Sequence, residues 1–155
     1  IIEKNAKGTI GGLNLIKNLS KSFLVINGDI ISNLNFNSLI KNHNSKKLIF
    51  TAVIKKINIR SKYGVIYKEK KKITFKEKPV FSSNILAGIY VMEKEILNLI
   101  PRNKYFGIDM LLKKLINQNK DINIFKYNGF WSDIGNEEDY FKINRLINRK
   151  KIVFF

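Results

Sequence analysis

The segment Phe23 to Asp29 is an apolar strand that stops at Gly28-Asp29 and leaves a carboxylate at its end. In open α/β sheets, ligands collect outside the carboxyl ends of the strands, where the chain turns away and leaves a crevice. A carboxylate in that position suits a metal-bound phosphate. The alternative is that the Gly-Asp pair only opens a turn after the strand.

Two further groups of residues have the chemistry of a phosphate and sugar site. Glu77-Lys78-Pro79 sets an acceptor beside a cation, and the proline stops further strand pairing. This pair suits a phosphorylated sugar, although Glu-Lys pairs are also common as solvated surface charges. Gly8 and its neighbours offer bare backbone against which a nucleobase can lie. The alternative there is an ordinary glycine-rich entry to a helix.

Length and composition favour one folded domain. A chain of 155 residues with 45% hydrophobic content buries roughly 70% of its unfolded surface as a single core. The sequence has no cysteine, which excludes disulfides and thiolate metal sites and makes the cytoplasm the expected location. The longest apolar stretch, Leu48 to Ile54, is far short of the roughly 20 residues of a membrane helix. No signal segment opens the chain, so we expect no membrane partner.

The formal charge of +17 would ordinarily indicate a nucleic-acid partner, because clustered lysines and arginines neutralise phosphates. Here the lysines are scattered among many asparagines and isoleucines, which is typical of biased coding composition. The one true run, Lys68 to Lys72, lies between two strand-like stretches and reads as a solvated hairpin turn. We therefore expect no nucleic-acid partner, while the basic surface attracts nucleotides and sugar phosphates at long range.

Hydrophobic periodicity predicts alternating strands and helices. This alternation indicates a mixed, mostly parallel sheet covered by helices, with a hairpin as an antiparallel extension. His43 stands alone near a helix end, and we expect a capping or surface role for it. Helices are predicted at Thr9 to Lys17, Asn37 to Asn42 with Asn37 as its cap, Glu93 to Ile100, Ile108 to Gln118 and Glu137 to Leu146; strands at Phe23 to Ile26, Leu48 to Ile54, Gly64 to Tyr67, Ile73 to Phe75, Leu86 to Met92 and Ile122 to Phe125.

Six motifs follow one another along the chain. They are Glu3 with Gly8-Thr9-Ile10-Gly11-Gly12-Leu13, Phe23 to Asp29, Tyr63-Gly64-Val65, Glu77-Lys78-Pro79, Ala87-Gly88-Ile89-Tyr90 and Trp131-Ser132-Asp133-Ile134-Gly135. Their order and spacing resemble those of the sugar-phosphate nucleotidyltransferases. The similarity is greatest to the mannose-1-phosphate guanylyltransferase-like branch and to the heptose- and aminosugar-specific guanylyltransferases.

This resemblance implies a fold and a reaction. The fold is a Rossmann-like nucleotidyltransferase three-layer α/β sandwich, of which residues 1–155 are the central and C-terminal portion of one domain. The reaction joins a nucleoside triphosphate and a sugar 1-phosphate into a nucleotide sugar for glycan or surface polysaccharide synthesis. The family's N-terminal Gly-rich phosphate loop, with its Arg and Lys, is not among these residues. We therefore expect residues 1–155 alone to be inactive and prone to aggregation.

The resemblance also implies roles for individual residues. Asp29 and Asp133 bind the catalytic Mg²⁺, and Lys78 meets the sugar phosphate. The nucleotide-binding positions are Glu3, Gly8, Thr9 and Gly28, and the sugar-binding positions are Gly64, Glu77, Asn84 and Gly88.

Several alternatives to these roles stay open. Ser132, Asp133 or Asn136 could equally cap the helix that follows. Tyr90 can be core, and Trp131 is read as a packing wall rather than a catalytic group.

Guanine is the preferred base, because the acceptor-only carboxylate of Glu3 pairs with the two adjacent donors on its edge. Thymine or uracil, which offers an acceptor there, would suit an amide better. Competing interpretations are a glycosyltransferase of similar architecture, which Ile30-Ile31 after Asp29 disfavours, and a non-catalytic sugar- or nucleotide-binding module. The identity of the sugar, homo-oligomerisation and an additional regulatory domain are left open.

Overall fold

Strands and helices alternate along residues 2–3 and 5–149, the part of the chain that the computed structural model describes. The strands are β1 (Ser22–Ile26), β2 (Ile30–Ser32), β3 (Phe50–Arg60), β4 (Val65–Glu69), β5 (Lys72–Lys76), β6 (Val80–Glu93), β7 (Asn123–Tyr127) and β8 (Trp131–Asp133). The α-helices are α1 (Gly8–Gly11), α2 (Phe36–Lys46), α3 (Ile108–Asn117) and α4 (Glu137–Asn148), and 3₁₀ turns occupy Gly12–Leu15 and Lys94–Leu99.

The central sheet is mixed, with one antiparallel strand inside it. In the described part of the chain its order is β1-β6-β3-β7. Strands β1, β3 and β7 run in the same direction, because β6 is antiparallel to both β1 and β3 and β7 is parallel to β3. The predicted mixed, mostly parallel sheet is confirmed in strand direction. Its antiparallel member lies between two parallel ones, and the β4–β5 hairpin forms a separate ladder.

Apolar residues cover both faces of this sheet and give the three-layer arrangement. One face carries Phe50 and Tyr90, whose rings stack at 5.9 Å between centroids, and packs against residues of α1 and α3. The opposite face carries Ile89 and Val91 and packs against α2. Tyr90 is 1% exposed, so the structure resolves its role as core.

Several predicted boundaries were wrong for local reasons. β3 and β6 are much longer than predicted because their outer halves form an exposed two-stranded arm, with Arg60 paired to Val80. The alternation of Ile57 and Ile59 with polar residues was a strand signal that the prediction missed. The predicted helix from Glu93 is instead a 3₁₀ turn that follows the end of β6. The cap of α2 is Asn35 rather than Asn37, and its side chain accepts from the Ser38 amide at 3.0 Å.

The β2–β8 ladder was not predicted at all. It consists of three antiparallel pairs, from Ile30 with Asp133 to Ser32 with Trp131. Strands this short give too few alternating residues to be recognised in a sequence window. This ladder is the element that positions the candidate site.

The expectation of a capping or surface role for His43 was wrong. His43 is 1% exposed, and its ring nitrogens contact Thr51 Oγ1 at 2.7 Å and Glu93 Oε1 at 3.0 Å. Ser22 also donates to Glu93. The imidazole therefore joins α2 to β3 and β6 from inside the fold. Its position in the last turn of a helix gave no indication of this burial.

The pKa of Glu93 is the net result of opposing effects. Burial alone would raise the pKa of this carboxyl, but hydrogen bonds from Ser22 and His43 and the charges of His43 and Lys21 hold it below its ordinary value of 4.5. A carboxylate with a lowered folded-state pKa contributes stability above its unfolded pKa. That stability is lost as the pH falls through the folded-state pKa.

We expect Glu93→Gln to lower the free energy of unfolding at pH 7 by about 1–3 kcal/mol, because it weakens the partner of a buried imidazole. The difference between the parent and Glu93→Gln should shrink as the pH falls below 4.5. Urea unfolding at pH 7 and pH 4 measures both effects. Glu95→Gln, which changes an exposed carboxylate on the adjacent turn, is the matched control and should leave both values unchanged. Equal effects of the two substitutions at pH 7 would contradict a structural role for the His43–Glu93 pair.

Candidate functional site

The β2–β8 ladder brings Asp29 and Asp133 to the same place. Ile30 pairs directly with Asp133, and the Ile134 amide donates to the Asp29 carbonyl at 2.8 Å. Since paired Cα atoms are about 5 Å apart and consecutive ones 3.8 Å, the two aspartate Cα atoms lie within about 9 Å of each other. Asp29 follows the carboxyl end of β1, which places the pair at the sheet edge where α/β folds bind ligands.

The two aspartates have the properties of cation ligands. Both are exposed, and within the described residues neither forms an ion pair. The competing role of Asp133 as a helix cap does not apply, because Asn136 caps α4 and accepts from the Asp139 amide at 3.0 Å.

The donor set suits Mg²⁺. No cluster of three or more Asp, Glu, His or Cys that could hold a metal occurs among the described residues. Two carboxylates completed by substrate phosphates and water match the way proteins hold Mg²⁺. Asp29 and Asp133 therefore fit this ion in the presence of a phosphorylated substrate.

Two adjacent residues of β6 hold the segments that carry the aspartates. The Asn27 amide donates to the Gly88 carbonyl at 2.9 Å, and the Trp131 indole donates to the Ala87 carbonyl at 2.7 Å. Gly88 has φ of +68°, and a Cβ there would lie 2.9 Å from Asn27 Nδ2. Gly88 thus has a structural reason to be glycine, namely close packing of β6 against the loop that contains Asp29.

Asn27 is a residue of this site that sequence reasoning missed. Its side-chain oxygen is buried and has no hydrogen-bond partner among the described residues. A buried carbonyl oxygen without a donor is unusual. The signal available in the sequence was a polar amide at the last position before Gly28-Asp29.

Glu3, Gly8 and Thr9 lie together around α1. The Glu3 carboxylate accepts from the Lys7 amide at 3.1 Å and covers Gly12, where a Cβ would lie 1.9 Å from Glu3 Oε1. Gly8 packs closely on the Phe106 carbonyl, 2.9 Å from the position of a Cβ. These contacts give Gly8 a packing role, and its predicted contact with a nucleobase stays a prediction.

The α1 region lies toward the same edge of the sheet as the aspartates. The short connection 118–122 makes α3 run opposite to β7, so the loop before α3 sits near the carboxyl end of β7. The amides of Ile10 and Gly11 donate to the Phe106 carbonyl in that loop, at 3.3 and 3.1 Å. Gly28 is more open, because a Cβ there would meet nothing within 4 Å.

The predicted sugar-binding residues extend from the base of the β4–β5 hairpin, through the β3–β6 arm, to Gly88 in the central sheet. Gly64 and Glu77 adjoin each other, since a Cβ on Gly64 would lie 2.9 Å from Glu77 Oε2. Lys78 is exposed with φ of +44°, at the turn into β6. Asn84 pairs with Lys56 in the arm, between this turn and Gly88. In the described part of the chain, no side-chain hydrogen bond or ion pair connects Lys78 or Glu77 to Asp29 or Asp133. That these two pairs of residues contact the same bound substrate stays a prediction.

The fold and the site together define an α/β protein with a mixed sheet and a carboxylate pair at the sheet edge. The profile of the family described as nucleotidyl transferase matches residues 1–150. The chain belongs to this nucleotidyl transferase family. Among residues 2–3 and 5–149, no helix is both long and apolar enough to cross a membrane.

Curated relatives divide between two nucleotides. The chain is 34% identical over 146 residues to the mannose-1-phosphate guanylyltransferase catalytic subunit beta of Drosophila melanogaster, covering 89% of this chain and 39% of that protein. It is 30% identical over 149 residues to mannose-1-phosphate guanyltransferase 2 of Candida glabrata, covering 90% and 41%. With UTP–glucose-1-phosphate uridylyltransferase of Synechocystis it shares 29% identity over 160 residues, covering 95% and 41%. The chain thus spans about two fifths of the length of these relatives.

Solved structures show the same fold. The crystal structure of HddC from Yersinia pseudotuberculosis, complexed with GMP-PN, superposes with a TM-score of 0.65 at 24% identity, covering 95% of this chain and 65% of that one. This likeness confirms the Rossmann-like nucleotidyltransferase architecture.

The close packing at Gly88 and the open space at Gly28 predict different effects of an added methyl group on stability. We expect Gly88→Ala to lower the free energy of unfolding by about 1–3 kcal/mol, because the methyl group imposes strain at positive φ and meets the Asn27 amide. Gly28→Ala should unfold like the parent, because its methyl group enters open space. Urea unfolding of both variants measures the difference. Equal stabilities would contradict the packing assigned to Gly88.

Proposed function

We propose that the protein transfers a nucleotidyl group from a nucleoside triphosphate to a sugar 1-phosphate. The observation that carries the proposal is the β2–β8 ladder, which brings Asp29 and Asp133 to one end of a single three-pair ladder. Such a pair of exposed carboxylates at the carboxyl edge of an α/β sheet suits a phosphate-transfer site. Membership of the nucleotidyl transferase family supports this reaction class.

In the proposed reaction, a phosphate oxygen of the sugar 1-phosphate attacks the α-phosphorus of the triphosphate. The bond between the α-phosphorus and the oxygen that bridges to the β-phosphorus breaks, and pyrophosphate leaves. No protein nucleophile is needed, so the chain's task is to orient the two substrates and offset their charge. Mg²⁺ bound by Asp29 and Asp133 would neutralise negative charge on the phosphates.

The remaining residues are proposed to bind the two substrates. Lys78 offsets the charge of the sugar phosphate, and Glu77 accepts hydrogen bonds from sugar hydroxyls. Gly64, Asn84 and Gly88 line the approach of the sugar along the arm. Gly8, Thr9 and Gly28 lie on the nucleotide side. The product would be a nucleotide sugar for glycan or surface polysaccharide assembly in the cytoplasm, a compartment that suits a sequence without cysteine.

GTP is the proposed nucleotide, on the basis of Glu3. Its carboxylate can accept up to about four hydrogen bonds, and the Lys7 amide occupies only one of these positions. Enough acceptor capacity remains for the two adjacent donors of a guanine edge. Relatives include both guanylyl- and uridylyltransferases, so base choice needs a direct test.

The metal assignment predicts a specific effect of Asp29→Asn. In the complete gene product, we expect pyrophosphate release from GTP, Mg²⁺ and a panel of sugar 1-phosphates to fall at least 100-fold, because the electrostatic contribution of one such ligand reaches about 3–4 kcal/mol. Thermal stability should stay close to that of the parent, since the side chain is exposed. Asp121→Asn, another exposed aspartate, is the control. Full activity of Asp29→Asn would remove the basis of the proposed mechanism. Nucleotide binding without turnover by the parent would favour a binding module.

Base choice is tested by competition among triphosphates. With the complete gene product, we expect GTP to be used in preference to UTP and dTTP. Glu3→Gln should weaken that preference by removing a charge-assisted pair that contributes about 1.5–3 kcal/mol. Relative kcat/KM values for the three triphosphates measure the effect. Residues 1–155 are assayed in parallel, to test the expectation that they are inactive on their own. Equal use of all three by the parent protein would contradict GDP-sugar synthesis.

A further inference from the structure

A polar cluster lies at the opposite end of the β2–β8 ladder from the aspartates. The side-chain oxygen of Asn33 accepts hydrogen bonds from the Tyr127 hydroxyl and from the Phe130 amide, the latter at 2.8 Å. The backbone amide of Asn33 in turn donates to the Phe130 carbonyl at 3.2 Å. We call these three residues the Asn33–Tyr127 clamp. They tie the end of β2 to the end of β7 and to the start of β8.

The chemistry of the clamp requires an acceptor at position 33. The Phe130 amide can only donate, so the oxygen of the Asn33 side chain, and not its nitrogen, must face it. The single hydroxyl hydrogen of Tyr127 points to Asn33 or to the Phe130 carbonyl, which lies 3.1 Å away. The Asn33 oxygen thus accepts from the Phe130 amide and lies within hydrogen-bond reach of the Tyr127 hydroxyl.

The neighbouring chain is shaped around the Tyr127 ring. A Cβ on Gly129 would lie 2.3 Å from the Tyr127 hydroxyl, so only glycine leaves room for the ring at that position. Lys55 donates to the Gly129 carbonyl, and its ammonium group lies 5.5 Å from the centre of the Tyr127 ring. The turn between β7 and β8 therefore depends on the same tyrosine.

The ladder itself is too short to fix its own alignment. It has three residue pairs, and a shift of one residue would turn every side chain of β8 to the other face. Asp133 would then lie on the other face of the ladder. A fixed point beyond the end of the ladder prevents such a shift, and the clamp is placed there.

We propose that Asn33 and Tyr127 are positioning residues, which hold β8 in the register that presents Asp133 and Asp29 to the same divalent cation. This inference rests on the proposed function, because it assumes that the two aspartates bind the cation. It extends that function to residues that touch neither the cation nor the substrates.

The test uses Tyr127→Phe, Asn33→Ala and Gly129→Ala in the complete gene product. Binding of Mn²⁺, used as a spectroscopic substitute for Mg²⁺, is measured by electron paramagnetic resonance in the presence of GTP. We expect each variant to bind Mn²⁺ about 10- to 100-fold more weakly, which is the usual effect of removing a residue that orients a metal ligand. The Mg²⁺ concentration needed for half-maximal pyrophosphate release should rise by a similar factor.

Two comparisons separate positioning from general destabilisation. Tyr140→Phe removes the hydroxyl of a half-exposed tyrosine on α4 and should bind Mn²⁺ like the parent. The double variant Tyr127→Phe, Asn33→Ala should lose less affinity for Mn²⁺ than the two single losses added together, because both changes remove the hydrogen bond between Tyr127 and Asn33. Should Asn33→Ala fail to fold, Tyr127→Phe, which keeps the ring, carries the test.

The outcomes distinguish the clamp from the proposed function. If Asp29→Asn loses Mn²⁺ binding while Tyr127→Phe and Gly129→Ala bind it like the parent, the clamp inference is wrong and the metal site stands. If Asp29→Asn binds Mn²⁺ like the parent, the assignment of the metal site is wrong, and the positioning role of the clamp is then wrong as well. Weaker binding in both sets, with Tyr140→Phe unchanged, supports both.

Discussion

Two neighbouring carbonyls of β6 are the constraint on which the candidate site depends. The Ala87 carbonyl accepts from Trp131, and the Gly88 carbonyl accepts from Asn27. Through them, the loop that carries Asp29 and the strand that carries Asp133 are both fixed to the same point of a central strand. The Asn27 contact continues the pairing of β1 with β6. The pairing of β3 with β6 shifts register between Ala52 and Ile54, and because a bulge leaves strand residues without a ladder partner, the Ala87 carbonyl is available to the Trp131 indole.

The residues that carry chemistry and the residues that hold them in place differ in their surroundings. Asp29 and Asp133 are exposed, and their charges remain available to a ligand. The residues around them are bonded internally, as Asn33 is to Tyr127 and Phe130. Asn27 is intermediate, because its buried oxygen has no donor in the described part of the chain. The supports of the candidate site are thus bonded within the protein itself, before any ligand is present.

The sequence predicts the position of residues that belong to a local pattern, and it does not predict contacts between distant segments. Asp29 could be placed because a long apolar run ends in Gly-Asp, a pattern that both the strand period and the turn chemistry support. The β2–β8 ladder could not, because three-residue strands have no detectable period. Asn33 and Tyr127 read as an ordinary loop residue and an ordinary strand residue, since their importance arises only when distant segments meet. His43 was misjudged for the same reason, because its partners Thr51 and Glu93 come from two other elements.

Base choice in this family must depend on few side chains. Guanylyl- and uridylyltransferases match the same stretch of this chain at similar identity, so the fold does not decide which base is bound. The glycines around α1 have no side-chain groups to tell one base from another: Gly8 packs on the Phe106 carbonyl, Gly11 is buried and Gly12 is covered by Glu3. Discrimination between bases then requires a side chain that can only accept or only donate hydrogen bonds. The carboxylate of Glu3, which covers Gly12, can only accept them. A carboxylate favours an edge with two donors and repels an edge that presents an acceptor. If Glu3 contacts the base as proposed, its charge would act against uracil and thymine as well as for guanine.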